Sequence, residues 1–138
     1  MAAMHEFNRK LIEEFRANSG QVGGQFANLP VLLLTMTGAK SGKSRTTPLV
    51  YSKDGDRIVV VASMGGAPKN PDWYHNLVAH PTVEVEIGSE RFPVKAVVTK
   101  GAERERLFNA QAKQMPMFAE YQKNTTRQIP VFVLERLR

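Results

Sequence analysis

The residues best suited to chemistry lie in one short stretch, Gly38-Ala-Lys-Ser-Gly-Lys-Ser44, with Arg45, Thr46 and Thr47 directly after it. Glycines that let the backbone come close, hydroxyls that donate, and cations in series are the ingredients of an anion grip. The stretch succeeds an apolar run, VLLLTMT (Val31–Thr37), and falls one spacer residue short of the phosphate loop G-x-x-x-x-G-K-[S/T]. A phosphate loop must also open a helix, because it uses the free N–H groups of the helix N-terminus. The residues after Ser44 are β-forming instead. Val50, Tyr51 and Ile58 to Val61 favour strands, Asp54-Gly55-Asp56 is a turn signal, and Pro48 comes too late for a first helical turn. The stretch therefore reads as a basic tip between two strands. From Gly38 to Lys53 it carries Lys40, Lys43, Arg45 and Lys53 and no acidic residue, with Ser41, Ser44, Thr46 and Thr47 adding hydroxyls. Its side chains and exposed N–H groups could hold several negative charges at once; the competing reading is a solvated hairpin tip.

Other chemistries find little support. The chain has no cysteine, which excludes disulfides, thiolate catalysis and zinc–sulfur sites. His5, His75 and His80 match no metal-ligand spacing, so no metal site is expected. No G-x-S-x-G elbow supports a nucleophilic serine, and no G-x-G-x-x-G supports a dinucleotide fold. Glu84, Glu86 and Glu90 fall in an alternating segment where solvent exposure is the simpler reading. A chain this poor in acid–base groups can still be an enzyme if a cofactor carries the hard chemistry.

The elements that must position these residues can be read from periodicity. The 138 residues suit one domain, 1–138, with 42% apolar and 23% charged content. A net charge of +6 and a pI near 9.8 favour anionic partners. The N-terminal residues show no signal-peptide core, and a cytoplasmic location is expected. Residues 5–18 form an amphipathic helix with Phe7, Leu11 and Phe15 at four-residue spacing, docking on the core or roofing a pocket, with peripheral membrane contact as the lesser option. Strands are expected at 31–37, 46–53 and 57–64, and then a short helix capped by Asn70, with Pro71 at its first position and Trp73 and Leu77 on its apolar face. TVEVEIG and ERFPVKAVVTK make a hairpin about Gly88-Ser89. A helix over Ala102–Met115, a short helix in PMFAEYQKN and a strand at Ile129–Leu137 complete the chain. Six mainly antiparallel strands with peripheral helices predict an α+β fold built on a partly closed β-barrel.

Two motifs carry a family resemblance. T-G-x-K-S-G-x-x-R-x-x-P begins at Thr37, and A-S-x-G-G-x-x-x-x-P-x-W-Y-x-N-L begins at Ala62. Together, and extending to YQKNTTRQIPVFVLE, they resemble the deazaflavin-dependent nitroreductase family of actinobacteria, which are split-barrel reductases that include quinone reductases using coenzyme F420 (an 8-hydroxy-5-deazaflavin). The resemblance implies that Lys40, Ser41, Lys43, Arg45 and Thr47 grip the phosphate and the oligoglutamate tail of that coenzyme. It implies that Pro48 and Val50 border the deazaflavin ring, that Ala62, Ser63 and Met64 meet its polar edge, and that Trp73 and Asn76 complete the site. A plain core role is the alternative for Trp73. Hydride would pass from C5 of the reduced coenzyme to a small-molecule electron acceptor in an apolar pocket. Met115, Phe118 and Tyr121 would line that pocket, the face of Phe7, Leu11 and Phe15 would roof it, and Tyr121 would donate a proton or hydrogen bond. Met64 stands where many relatives carry lysine. Met115 and Phe118 stand where nitroimidazole-activating members carry tyrosine, which favours quinones and enones over nitro drugs. Two other readings remain: a split-barrel protein using FMN or storing a flavin, and a nucleic-acid module, which the absence of aromatic residues from Gly38–Ser44 disfavours. No sequence feature sets the oligomeric state.

Overall fold

Alternating apolar residues build β1 (Val31–Thr37), β2 (Ser44–Asp54), β3 (Arg57–Val61), β4 (Thr82–Ile87), β5 (Glu90–Val98) and β6 (Val131–Arg136). They close into a barrel in the order β1-β2-β3-β6-β5-β4, every neighbouring pair antiparallel. The helices are α1 (Ala2–Ala17), α2 (Asp72–Ala79), α3 (Gly101–Gln114) and α4 (Met117–Lys123). The structure is a computed structural model and describes residues 2–23, 29–63, 66 and 68–137, with side chains from residue 8 onward.

Each strand sends alternate side chains to opposite faces. Leu32, Leu34, Met36, Val60, Val85, Val94, Phe132 and Leu134 fill the barrel interior. α2 belongs to that interior as well: Leu77 is fully buried, and the rings of Trp73 and Tyr74 lie 5.9 Å and 5.7 Å from that of Phe132. The outer face carries two further clusters. α1 lays Phe15 on Val31 and Leu33. α3 and α4 lay Leu107, Phe108, Met115 and Phe118 on Val59, Val61, Val131 and Val133. Ser52 of β2 donates a 2.8 Å hydrogen bond to Gln111 of α3, so the helix is keyed to the sheet by a buried polar contact as well as by packing.

The expected elements are all present, with three local differences. β3 stops at Val61 rather than at 64. The α2 N-cap position is Pro71, and Asn70 makes no capping bond; its amide oxygen accepts from Arg127 at 2.8 Å instead. Glu86 is not a solvated carboxylate. Arg16 of α1 donates to it twice, at 3.1 Å and 2.8 Å, and these hydrogen bonds hold its pKa below the usual carboxylate range. The outer face of β4 at this position meets α1, which alternation alone does not reveal.

Candidate functional site

The candidate site lies where β2 lacks a partner on its β3 side. β2 pairs with β1 along Ser44 to Val50, but its ladder with β3 runs only from Asp54↔Arg57 to Tyr51↔Val60. Tyr51 donates its N–H to the Pro30 carbonyl at 3.1 Å, on the β1 side. Alternation then turns the backbone of Val50, Pro48 and Thr46 toward β3. Proline has no N–H to offer a ladder and is tolerated where none is required. Pro48 occupies such a position, in the part of β2 that β3 no longer pairs. The same register, if continued, would set Leu49 opposite Ala62 and Pro48 opposite Ser63.

Side chains of Pro48 and Val50 share the outer face of β2, both half-buried. Val50 and Leu29 pack against the α1 cluster and the α3–α4 cluster alike, so this strip is a floor between two helical walls. One wall holds Met115 and Phe118, both buried, with the half-buried Tyr121 ring 5.5 Å edge-on from Phe118. The other wall is α1. There Phe15 is 1% exposed and Leu11 8%, so these residues dock the helix and leave little surface for a pocket. The Phe7 side chain and Met64 lie outside the described residues.

The cations sit at one end of this floor. Residues 38–43 cross from β1 to β2 as a closed loop: Gly38 donates to the Lys43 carbonyl at 2.8 Å, and Gly42, at a φ of 69° that suits glycine, donates to Gly38 at 2.9 Å. Ala39 donates to the Asn76 side chain at 2.9 Å, and Lys43 donates to the Ser41 hydroxyl at 3.2 Å. The loop N–H groups are thus largely engaged within the protein, which corrects the expectation of an anion held by free backbone donors. Lys40, Lys43 and Arg45 are exposed and form no ion pair among the described residues. Every other described arginine has a hydrogen-bonding partner, most of them carboxylates. Among the described arginines, Arg45 alone has none.

Not all expected contacts converge. Pro48 and Val50 share the outer face of β2, and Ala62 and Ser63 directly follow β3. Thr47 and Arg45 alternate to the opposite face of β2 from Pro48 and Val50, Arg45 at its exposed end. Trp73 packs with the barrel interior, and Asn76 is buried with its oxygen committed to Ala39, so Asn76 supports the loop. Sequence reasoning missed Arg127, whose guanidinium reaches the Ala62 and Ser63 carbonyls at 3.2 Å and 2.7 Å. It also missed Arg104, 4% exposed, which donates to Ile129 O and to Gln122. Arg104 could have been found: it shares a helical stripe with Leu107, Phe108 and Gln111, all buried. Arg127 gives no local signal. Two shallow cavities lie elsewhere: about 270 Å³ beside Arg16 and Glu86, and about 310 Å³ along the β1–β4 edge at Thr37 and Thr82. Among the described residues, no three His, Cys, Asp or Glu side chains gather as a metal site, and no helix is long and apolar enough to cross a membrane.

Comparison with known proteins gives consistent matches. The family described as F420H(2)-dependent quinone reductase matches residues 7–136. An F420H(2)-dependent quinone reductase of Mycobacterium tuberculosis strain H37Rv is 42% identical over 126 residues, covering 88% of this chain and 85% of that protein. The solved structure of an F420-H2 dependent reductase (FDR-A) is 45% identical, covers 77% of this chain and 94% of its own, and superposes with a TM-score of 0.71. A structure described as a domain-swapped dimer is 39% identical with a TM-score of 0.73, covering 97% of this chain and 98% of its own.

Proposed function

The chain belongs to the F420H(2)-dependent quinone reductase family, and from that premise we propose that it passes hydride from reduced coenzyme F420 to a quinone or another conjugated carbonyl compound at the outer face of β2. The observation that carries this placement is the β2 edge left without β3, with Pro48 on it and, at its end, cations that have no partner among the described residues. The residues present fit the coenzyme. A planar ring needs a flat apolar floor, which Pro48 and Val50 offer, and a polyanionic tail needs several cations without internal partners, and among the described residues Lys40, Lys43 and Arg45 have none.

When bound, reduced F420 supplies the hydride from C5 of its deazaflavin. The chain's own residues do the rest. Lys40, Lys43 and Arg45 hold phosphate and carboxylates, with the Ser41 hydroxyl beside them. Asn76 holds the loop backbone that carries Lys40. Ala62 and Ser63, directly after β3, would meet the polar edge of the ring. Met115, Phe118 and Tyr121 present an apolar wall that excludes water from the acceptor and orients it within reach of the donor carbon. Tyr121 holds its hydroxyl proton at the acceptor oxygen, so that one hydride and one proton complete a two-electron reduction. The α1 stripe of Leu11 and Phe15 is turned to the barrel, and its role is to close the second wall rather than to meet lipid.

The test is a donor comparison: the protein with menadione and, in turn, reduced F420, reduced FMN and NADPH. Oxidation of the deazaflavin alone is expected. Equal turnover with reduced FMN would move the assignment to a flavin enzyme.

A further inference from the structure

We propose that Arg127 is a positioning residue that holds Ala62 and Ser63, directly after β3, in place and so fixes the edge against which the ring binds. The proposal rests on the placement of the coenzyme at that edge. The β2–β3 ladder ends at Tyr51↔Val60, and on the other side of β3 the register reaches Pro130, which has no N–H to give the Ala62 carbonyl. Ala62 still donates its N–H to the Pro130 carbonyl at 2.9 Å. Its own carbonyl and that of Ser63 are taken by the two ends of one guanidinium: Nη1 to Ala62 O at 3.2 Å, and Nη2 to Ser63 O at 2.7 Å. The same Nη1 donates to the Asn70 amide oxygen at 2.8 Å, which ties Asn70 to the end of β3. A planar fork with several fixed donors can span these acceptors; an ammonium group cannot reproduce the geometry.

The fork is itself held. Gln122 of α4 donates to the Arg127 carbonyl at 2.8 Å, while its oxygen accepts from Ile129 N at 3.1 Å and from the buried Arg104 at 3.0 Å. Gly66, between Ser63 and Asn70, touches α4 directly. A Cβ built at Gly66 would lie 2.6 Å from the Tyr121 carbonyl, and Gly66 has a φ of 84°. Ala62, Ser63 and Asn70 are therefore clamped by Arg127, and Gly66 is pressed against the last turns of α4. Partial burial lowers the Arg127 pKa, a cost the three acceptors offset, and the group stays charged.

The experiment compares wild type with Arg127→Lys, Arg127→Ala and Asn70→Ala. Amide hydrogen exchange on the protein without ligand is the first readout. Peptides spanning 62–70 are expected to exchange at least tenfold faster in Arg127→Ala, with β4 and β5 unchanged and Arg127→Lys recovering only part of the protection. F420 titration and steady-state kinetics are the second readout. The dissociation constant and the KM for reduced F420 should rise tenfold or more while kcat falls less than threefold, and millimolar guanidinium should partly rescue Arg127→Ala. Should Arg127→Ala fail to fold, Arg127→Lys and Asn70→Ala carry the same readouts at smaller amplitude. Unchanged exchange over 62–70, or an F420 affinity within twofold of wild type in a protein that binds F420, overturns the proposal. A wild-type protein that binds no F420 defeats the functional reading instead, and the exchange measurement still decides the role of Arg127.

Discussion

At the scale of single residues, the deciding fact is which polar groups already have partners. Arg45, Lys40 and Lys43 have none among the described residues, and like charges held on one short loop repel until an anion arrives. Each contact is exposed, so it is worth about 0.2–1 kcal/mol rather than the value of a buried pair. Reversing two charges replaces attraction by repulsion, and Lys40→Glu with Arg45→Glu should raise the F420 dissociation constant tenfold or more, measured by fluorescence titration. Asn76 acts differently. Its oxygen accepts the Ala39 N–H in a part-buried setting, and Asn76→Ala leaves that donor unmet. A loss of about 1–3 kcal/mol in denaturant unfolding is expected, with Asn76→Asp keeping the acceptor and most of the stability. Tyr121→Phe removes the proposed proton donor while keeping the ring against Phe118. The rate with menadione should fall at least tenfold with F420 affinity unchanged; an unaltered rate removes Tyr121 from the chemistry.

At the scale of elements, the strands are legible in the sequence and the end of the β2–β3 ladder is not. Alternation in TVEVEI and ERFPVKAVV places the β4–β5 hairpin, and Asp54-Gly55 places the β2–β3 turn, because these signals are local. The end of β3 reads three residues late because Ala62 and Ser63 look like more strand; what ends it is the departure from β2 and capture by Arg127, a contact across more than sixty positions. Asn70 before a proline reads as a helix cap, yet the same distant arginine claims it. Gly66 shows the same dependence on context. Gly66→Ala should cost about 1–3 kcal/mol, since it meets both a positive φ and the Tyr121 carbonyl; denaturant midpoints will measure it. The attachment of α1 is pH-dependent. Glu86 has a folded pKa below its unfolded value, so its pair with Arg16 stabilises fully above the ordinary carboxylate pKa and fades as pH falls through the lowered one. Stability should drop below about pH 4.5, less steeply in Glu86→Gln than in wild type.

At the scale of the whole molecule, charge and topology point the same way. Most arginines are neutralised where they stand. Asp54 binds Arg57 and Arg106 and joins the β2–β3 hairpin to α3, and Arg91 pairs with Glu84 across the β4–β5 hairpin. The excess positive charge of the chain, +6, is therefore unevenly matched, and the 38–45 loop is a stretch where cations gather without acids. A closed barrel whose β2–β3 ladder stops at Tyr51, with apolar walls beside it and that loop at its end, suits a long ligand with a flat head and an acidic tail. The most direct measurement is the ratio of dissociation constants for F420 and for the same deazaflavin lacking phosphate and glutamates, in one buffer at physiological salt. Binding of F420 at least tenfold tighter, about 1.4 kcal/mol, is predicted. Equal affinity for the two would contradict the assignment of the basic loop to the coenzyme tail.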